Sequence, residues 1–193
     1  MSQVETHSST FDPLRLQSSS LAWKAGAFVL GIAFLAACSR LSVPLFPVPV
    51  TMQTFAVTLI GALYGWRFGA ATIIAWLVLG AAGMPVLAPG AVGLAKFMGP
   101  TAGYLFAFPV VGALVGWLAA RGWNGRNVWL AFGAMLIGNA LCLAIGGAWL
   151  AVPMGLEKAI AVGVAPFIIG GVLKSALGAA TLKAIEAYPL KRA

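Results

Sequence analysis

From residue 21 onward this chain is a succession of apolar runs, broken only by single charges and by clusters of glycine and proline. A helix that crosses a bilayer needs about 20 apolar residues, whereas a soluble domain is about a quarter charged. Here 8% of the 193 residues are charged and 61% are hydrophobic, with a mean hydropathy of +0.98. A water-soluble fold of this length cannot hide that much apolar surface, so membrane lipid must cover it. The sequence therefore predicts an all-α membrane protein. Residues 1–20 read as a disordered cytoplasmic tail, residues 21–188 as one domain of six transmembrane helices, and residues 189–193 as a basic tail.

The formal charge of +8 arises from twelve Lys and Arg against four Asp and Glu. The basic residues fall one at a time between apolar runs, without the basic stripe that binds nucleic acid, and so read as flanking charge that orients helices. The polar start MSQVETHSSTFDPLRLQSSS lacks a charged opening followed by an apolar core, so the first apolar segment is expected to remain in the mature protein.

The segments are expected at about residues 21–38, 52–64, 68–82, 101–120, 128–146 and 167–188. Segment one carries the pairs Ala22/Gly26, Ala27/Gly31 and Ala33/Ala37, a spacing that lets helix backbones approach closely in a membrane. They serve packing within the chain or docking of a partner's helices. Pro44, Pro47 and Pro49 follow; they cannot occupy a helix interior, so an extended or re-entrant loop is expected there, with Thr51 capping the short second segment. The stretch GMPVLAPGAVGLAKFMGPTAGY is irregular yet apolar. Such backbone is tolerated at membrane depth only where it packs in protein or lines a cavity. Segment four holds Gly112 and Gly116, and a mixed connection with a short interfacial helix is expected between segments five and six.

Six spans put both termini on one side. That side collects Arg15, Lys24, Arg67, Arg121, Arg126, Lys183, Lys191 and Arg192, against Arg40, Lys96, Lys158 and the more deeply placed Lys174 on the other. The surplus marks the cytoplasm. The irregular loops then gather on the exterior face, where a binding pocket is expected.

Lys174 is the sharpest candidate, an ionisable group about two turns into an apolar helix, where charge is costly and marks function unless the side chain snorkels to the interface. Thr51 and Gln53 stand at a helix start and offer groups for an amide-like or ureido ligand, or merely cap the helix. Thr101 and Tyr104 lie in GPTAGY near the same side. Lys96 and Glu157 read as solvated or interfacial charges, and Cys38 and Cys142 as buried thiols. There is no phosphate-binding glycine loop, no histidine beyond His7 and no acid between residues 13 and 156. These absences argue against an enzyme, an ATPase and a proton-coupled carrier. No cofactor or metal site is expected.

Four stretches together resemble the BioY family, the biotin-binding S components of energy-coupling-factor (ECF) transporters. They are VPVTMQTFAVTLIGALYGWRFGA (48–70), GAAGMPVLA (80–88), GPTAGYL (99–105) and PFIIGGVLKSAL (166–177). The resemblance implies an S-component-like bundle in a bacterial cytoplasmic membrane that captures biotin from outside. It implies a site containing Lys174, Gln53, Thr51, Thr101, Tyr104 and Phe167. Uptake would be driven by an ECF transmembrane coupling protein and ATPase subunits, which alone hydrolyse ATP. These partners would dock on Ala22, Gly26, Ala27, Gly31, Ala33 and Ala37. The sequence departs from the family at Gly171, where the pattern around Pro166, Phe167, Gly170 and Lys174 has an acidic residue. Another acceptor then takes over, a backbone carbonyl or Gln53, or ligand preference has shifted. An S component for thiamine or riboflavin, or a ligand-free structural subunit, are the alternatives.

Overall fold

The computed structural model describes residues 11–14, 16, 18–90 and 92–187. Helix α1 (Leu21–Arg40) starts at Ser20, whose Oγ accepts from the Trp23 N–H at 3.3 Å. The proline-rich stretch forms a small antiparallel hairpin of β1 (Ser42–Val43) and β2 (Val50–Thr51). Helix α2 (Gln53–Tyr64) turns into α3 (Trp66–Ala81) through Gly65, whose φ of 77° a side chain would strain. A loop with a single 3-10 turn (Gly93–Phe97) leads to α4 (Ala102–Ala120), and Asn127 caps α5 (Val128–Met154). Helix α6 (Leu156–Ala187) closes the bundle.

Four of the six helices are long and apolar enough to cross a membrane alone, while α2 and α3 are shorter. At 12 residues, α2 rises only about 18 Å. Its shortness fits its position, since nine of its residues are buried and it packs on α4, α3, α1 and α6. Little of it meets lipid. The close crossing with α4 depends on absent side chains: a Cβ on Gly61 would lie 2.3 Å from the Gly112 carbonyl oxygen, and one on Gly116 2.6 Å from that of Gly61. The Gly112/Gly116 pair thus serves contact inside the bundle. Trp76 of α3 stacks on Phe108 of α4, with ring centroids 5.8 Å apart.

The link between segments five and six differs from expectation. In place of a mixed connection of about twenty residues, α5 continues over Pro153 to Met154, and Gly155 alone, at φ 84°, joins it to α6. The expected interfacial helix is the first turn of α6 itself. Its axis then passes through a π turn (Ile160–Val164), where the Ala165 N–H reaches back to the Ile160 carbonyl. The next residue, Pro166, has no N–H to donate. The wider turn absorbs the break in the ladder without ending the helix.

Part of the expected disordered tail is packed. Phe11 and Leu16 are buried, the Leu16 N–H donates to Asp12 Oδ1 at 2.8 Å, and the Trp23 indole donates to the Leu14 carbonyl at 3.1 Å. Leu14 of this short stretch lines a groove between α1 and α2 that includes Phe34 and Leu59. Residues 1–10, Arg15 and the basic tail 189–193 lie outside the described residues.

Candidate binding site

The hairpin, the starts of α2 and α4, and the middles of α5 and α6 surround a small cavity of about 50 Å³, below the ~300–1,000 Å³ usual for small-molecule sites. Val48, Pro49 and Thr51 close it from the hairpin, and Gln53 and Thr54 from α2. Tyr104 and Phe108 wall it from α4, Asn139, Cys142 and Leu143 from α5, and Phe167 and Lys174 from α6. Pro44, Pro47 and Pro49 fall between the two strands of the hairpin, where they keep the chain out of a helix while it doubles back to the start of α2.

The polar groups are organised in three chains of hydrogen bonds. In the first, Thr51 Oγ1 accepts from the Gln53 N–H at 3.3 Å and donates to Gln53 Oε1 at 3.0 Å. Gln53 Nε2 donates to Ser39 Oγ at 3.3 Å, which donates to the Leu35 carbonyl at 2.6 Å. This relay ties hairpin, α2 and α1 together, so Thr51 and Gln53 hold the wall as well as forming it. In the second, Lys174 Nζ donates to the Thr51 carbonyl at 3.0 Å, fastening α6 to the hairpin. In the third, Asn139 Nδ2 donates to the Met135 carbonyl at 3.0 Å and to Ser175 Oγ at 3.1 Å, and Ser175 Oγ donates to the Gly171 carbonyl at 2.8 Å. Thr54 Oγ1 is the one side-chain polar atom among the described residues that is fully shut off from the surface and has no partner.

Tyr104 donates to the Gly163 carbonyl at 2.6 Å, inside the π turn of α6, and its ring tilts against Phe167 at 6.4 Å. It therefore locks α4 to α6 while presenting an aromatic face to the cavity. Thr101 does not line the cavity. It sits at the very start of α4, beyond Tyr104, beside the Gly99 carbonyl that accepts from the Trp149 indole at 3.1 Å.

Lys96 is a correction to the sequence reading. It is 6% exposed and not solvated, because the loop folds round it and both the Ala88 and Pro89 carbonyls accept from its ammonium, at 2.8 and 2.9 Å. Burial pushes its pKa below the usual lysine value. Arg40 Nη2 likewise donates to the Pro85 carbonyl, joining the end of α1 to the loop after α3. Glu157 is exposed, as expected. Both cysteines are buried and free, Cys142 in the cavity wall. No cluster of metal-ligating side chains occurs among the described residues.

Sequence reasoning missed Asn139, Thr54 and Phe108. Only Asn139 carried a readable signal, as the one amide in the 27 residues of α5; a polar group at that depth needs partners. The small residues of α1 fall into two sets. Ala27 and Gly31 are buried inward, where the Ala27 carbonyl accepts from Tyr64 Oη at 2.6 Å and a Cβ on Gly31 would meet Thr72 and Tyr64 at 2.9 Å. Ala22, Gly26, Ala33 and Ala37 are exposed, within about 60° of one another round the helix.

A bundle of six apolar helices that encloses a small cavity with inward polar groups defines a membrane protein built to hold a small molecule. A model of the BioY family matches residues 13–189, nearly the whole chain, and the chain belongs to that family. The chain is 36% identical to the biotin transporter BioY of Thermotoga maritima, over 84% of this chain and 95% of that protein. It is 37% identical to the BioY of Rhizobium etli, over 84% and 91%, and 36% identical to a probable biotin transporter BioY of Pyrococcus horikoshii, over 76% and 86%. Among solved structures, the S-component for biotin from an ECF-type ABC transporter shares the fold with a TM-score of 0.77 at 24% identity, covering 86% of this chain and 92% of that one.

Proposed function

We propose that this chain is the biotin-binding subunit of a vitamin importer, taking biotin from the outer face of a bacterial cytoplasmic membrane with both termini in the cytoplasm. The observation that carries the reading is the cavity itself, apolar in most of its wall, with Lys174 as its one cation and no acid lining it. Biotin is an apolar bicycle with a ureido head and a carboxylate tail. Aromatic and aliphatic walls suit the bicycle, and an unneutralised ammonium suits a polar or anionic end. Lys174 exchanges the Thr51 carbonyl for the ligand, Gln53 and Thr51 shape the rim, and Tyr104 and Phe167 flank the bicycle.

Energy comes from a transmembrane coupling protein and its ATPase subunits. These dock on the exposed stripe Ala22, Gly26, Ala33 and Ala37, because Ala27 and Gly31 are already engaged within the bundle. The test is equilibrium binding to purified protein with biotin, thiamine and riboflavin. Biotin alone should bind tightly. Lys174→Ala should weaken it tenfold or more, since a charge-assisted hydrogen bond contributes about 1.5–3 kcal/mol and each 1.4 kcal/mol is a factor of ten. An unchanged dissociation constant would remove Lys174 from the site, and tight thiamine or riboflavin binding would change the ligand.

A further inference from the structure

Gly171 lies on α6 where the BioY-like pattern around Pro166 and Lys174 has an acid, and the geometry beside it is informative. The nearest atoms to a Cβ built there are all of Asn139, with Cβ at 3.7 Å, Oδ1 at 3.9 Å and Cγ at 4.0 Å. These are ordinary contact distances. A Cβ at position 171 would therefore sit beside the Asn139 side chain in ordinary contact.

The orientation of that amide follows from its partners. The Met135 carbonyl can only accept, so the atom facing it is Nδ2. Ser175 Oγ spends its proton on the Gly171 carbonyl and accepts from the other Nδ2 proton. Both donors are thus consumed inside the protein, and Oδ1 is left without a donor in a residue 4% exposed that lines the cavity. Gln53 does not offer the same, because its Oε1 already accepts from Thr51 Oγ1. Thr54, whose Oγ1 is a buried hydroxyl without a partner, lines the same cavity. An unused acceptor and an unused hydroxyl in one enclosed space fit a ligand group with N–H beside C=O.

We propose that Asn139 Oδ1 is the acceptor for a ureido N–H of the ligand, a specificity-determining contact that takes the place left vacant at Gly171; this rests on the biotin-binding reading above. The acceptor is neutral and lines the same cavity as Lys174, with no carboxylate there to balance the ammonium. The site therefore selects a neutral cyclic urea and rejects a head that carries positive charge.

Two measurements test this on the full-length purified protein. In the first, Asn139→Leu is made alone and in a Gly171→Asp background, with Ser175→Ala as a control that keeps Oδ1. Asn139→Leu should weaken biotin binding at least tenfold in the wild-type background and less than threefold when the aspartate supplies a second acceptor. Ser175→Ala should change it less than threefold. In the second, biotin is compared with 2-iminobiotin, whose cyclic guanidine head is cationic at neutral pH. The wild type should bind the cation far more weakly, and Gly171→Asp alone should narrow the gap at least tenfold. That readout does not depend on Asn139→Leu folding. An Asn139→Leu loss that persists undiminished beside Gly171→Asp, or a gap that Gly171→Asp leaves unchanged, overturns the proposal. Wild-type protein that binds no biotin overturns the functional reading itself, a separate result from wild type that binds biotin while Asn139→Leu leaves the constant unmoved.

Discussion

Lys174, Asn139 and Tyr104 each join two elements through one side chain, and that double duty separates the residues that hold the site from those that only border it. Tyr104→Phe removes the bond to the Gly163 carbonyl while keeping the ring against Phe167. It should cost about 1–2 kcal/mol of stability, as for a buried hydrogen bond, lowering Tm while weakening biotin far less than Lys174→Ala does. Lys96→Met leaves the Ala88 and Pro89 carbonyls without their donor. The loop of residues 82–101 should then be cut faster by added protease, with the helices unaffected. Lys174 was legible in the sequence, because a cation in the apolar middle of a helix, away from either end, stands out by itself. Lys96 was misread for a physical reason. Nothing local distinguishes a lysine in water from one that folds its own loop round the ammonium, since its partners are backbone carbonyls present at every residue.

At the scale of elements, glycine decides where helices meet. Gly61→Val would thrust side-chain atoms into the backbone of α4, and overpacking of this kind costs about 1–3 kcal/mol or more. That variant should fail to purify as a monodisperse protein. Gly26→Val meets nothing within 4 Å, so it should fold and bind biotin normally while uptake falls in cells that supply the coupling and ATPase subunits. Normal uptake would remove the exposed stripe of α1 as the docking face. The sequence marked these glycines as small-residue pairs without revealing which neighbour each one faces. In α1 the inward and outward sets interleave along one helix, and only the position of Tyr64 and Thr72 tells Ala27 and Gly31 from Ala22 and Gly26. The link from α5 to α6 was obscured differently. Two prolines and a glycine read as a loop, whereas Pro153 falls in a last helical turn, Gly155 makes the reversal, and a π turn accommodates Pro166.

For the whole molecule, the two ends of the bundle differ in character. One end carries the hairpin that lines the cavity and, tied to the end of α1 through Arg40, the long loop after α3. The other carries basic residues beside aromatic ones, with the Arg121 guanidinium 3.5 Å from the Trp117 ring and an Arg126–Glu186 pair at 3.5 Å. This is the pattern of a membrane–water interface. With the termini in the cytoplasm, a cysteine at exposed Phe46 should react with an impermeant maleimide on intact cells. One at Arg121 should react only after permeabilisation, and the buried native thiols should stay silent. The reverse pattern would invert the topology and turn the cavity toward the cytoplasm. Hydropathy by itself determined that the chain is a helical membrane bundle, roughly where its helices run, and that broken apolar backbone gathers at one end, because transfer into lipid and the loss of backbone hydrogen bonds at proline are local costs written in each residue. Which groups in the cavity remain free was decided only by the tertiary structure. Asn139, Gln53 and Thr51 carry similar polar atoms in the sequence, and their roles diverge once Ser175, Ser39 and Lys174, from elsewhere in the chain, have taken some of those atoms and left Oδ1 of Asn139 unclaimed.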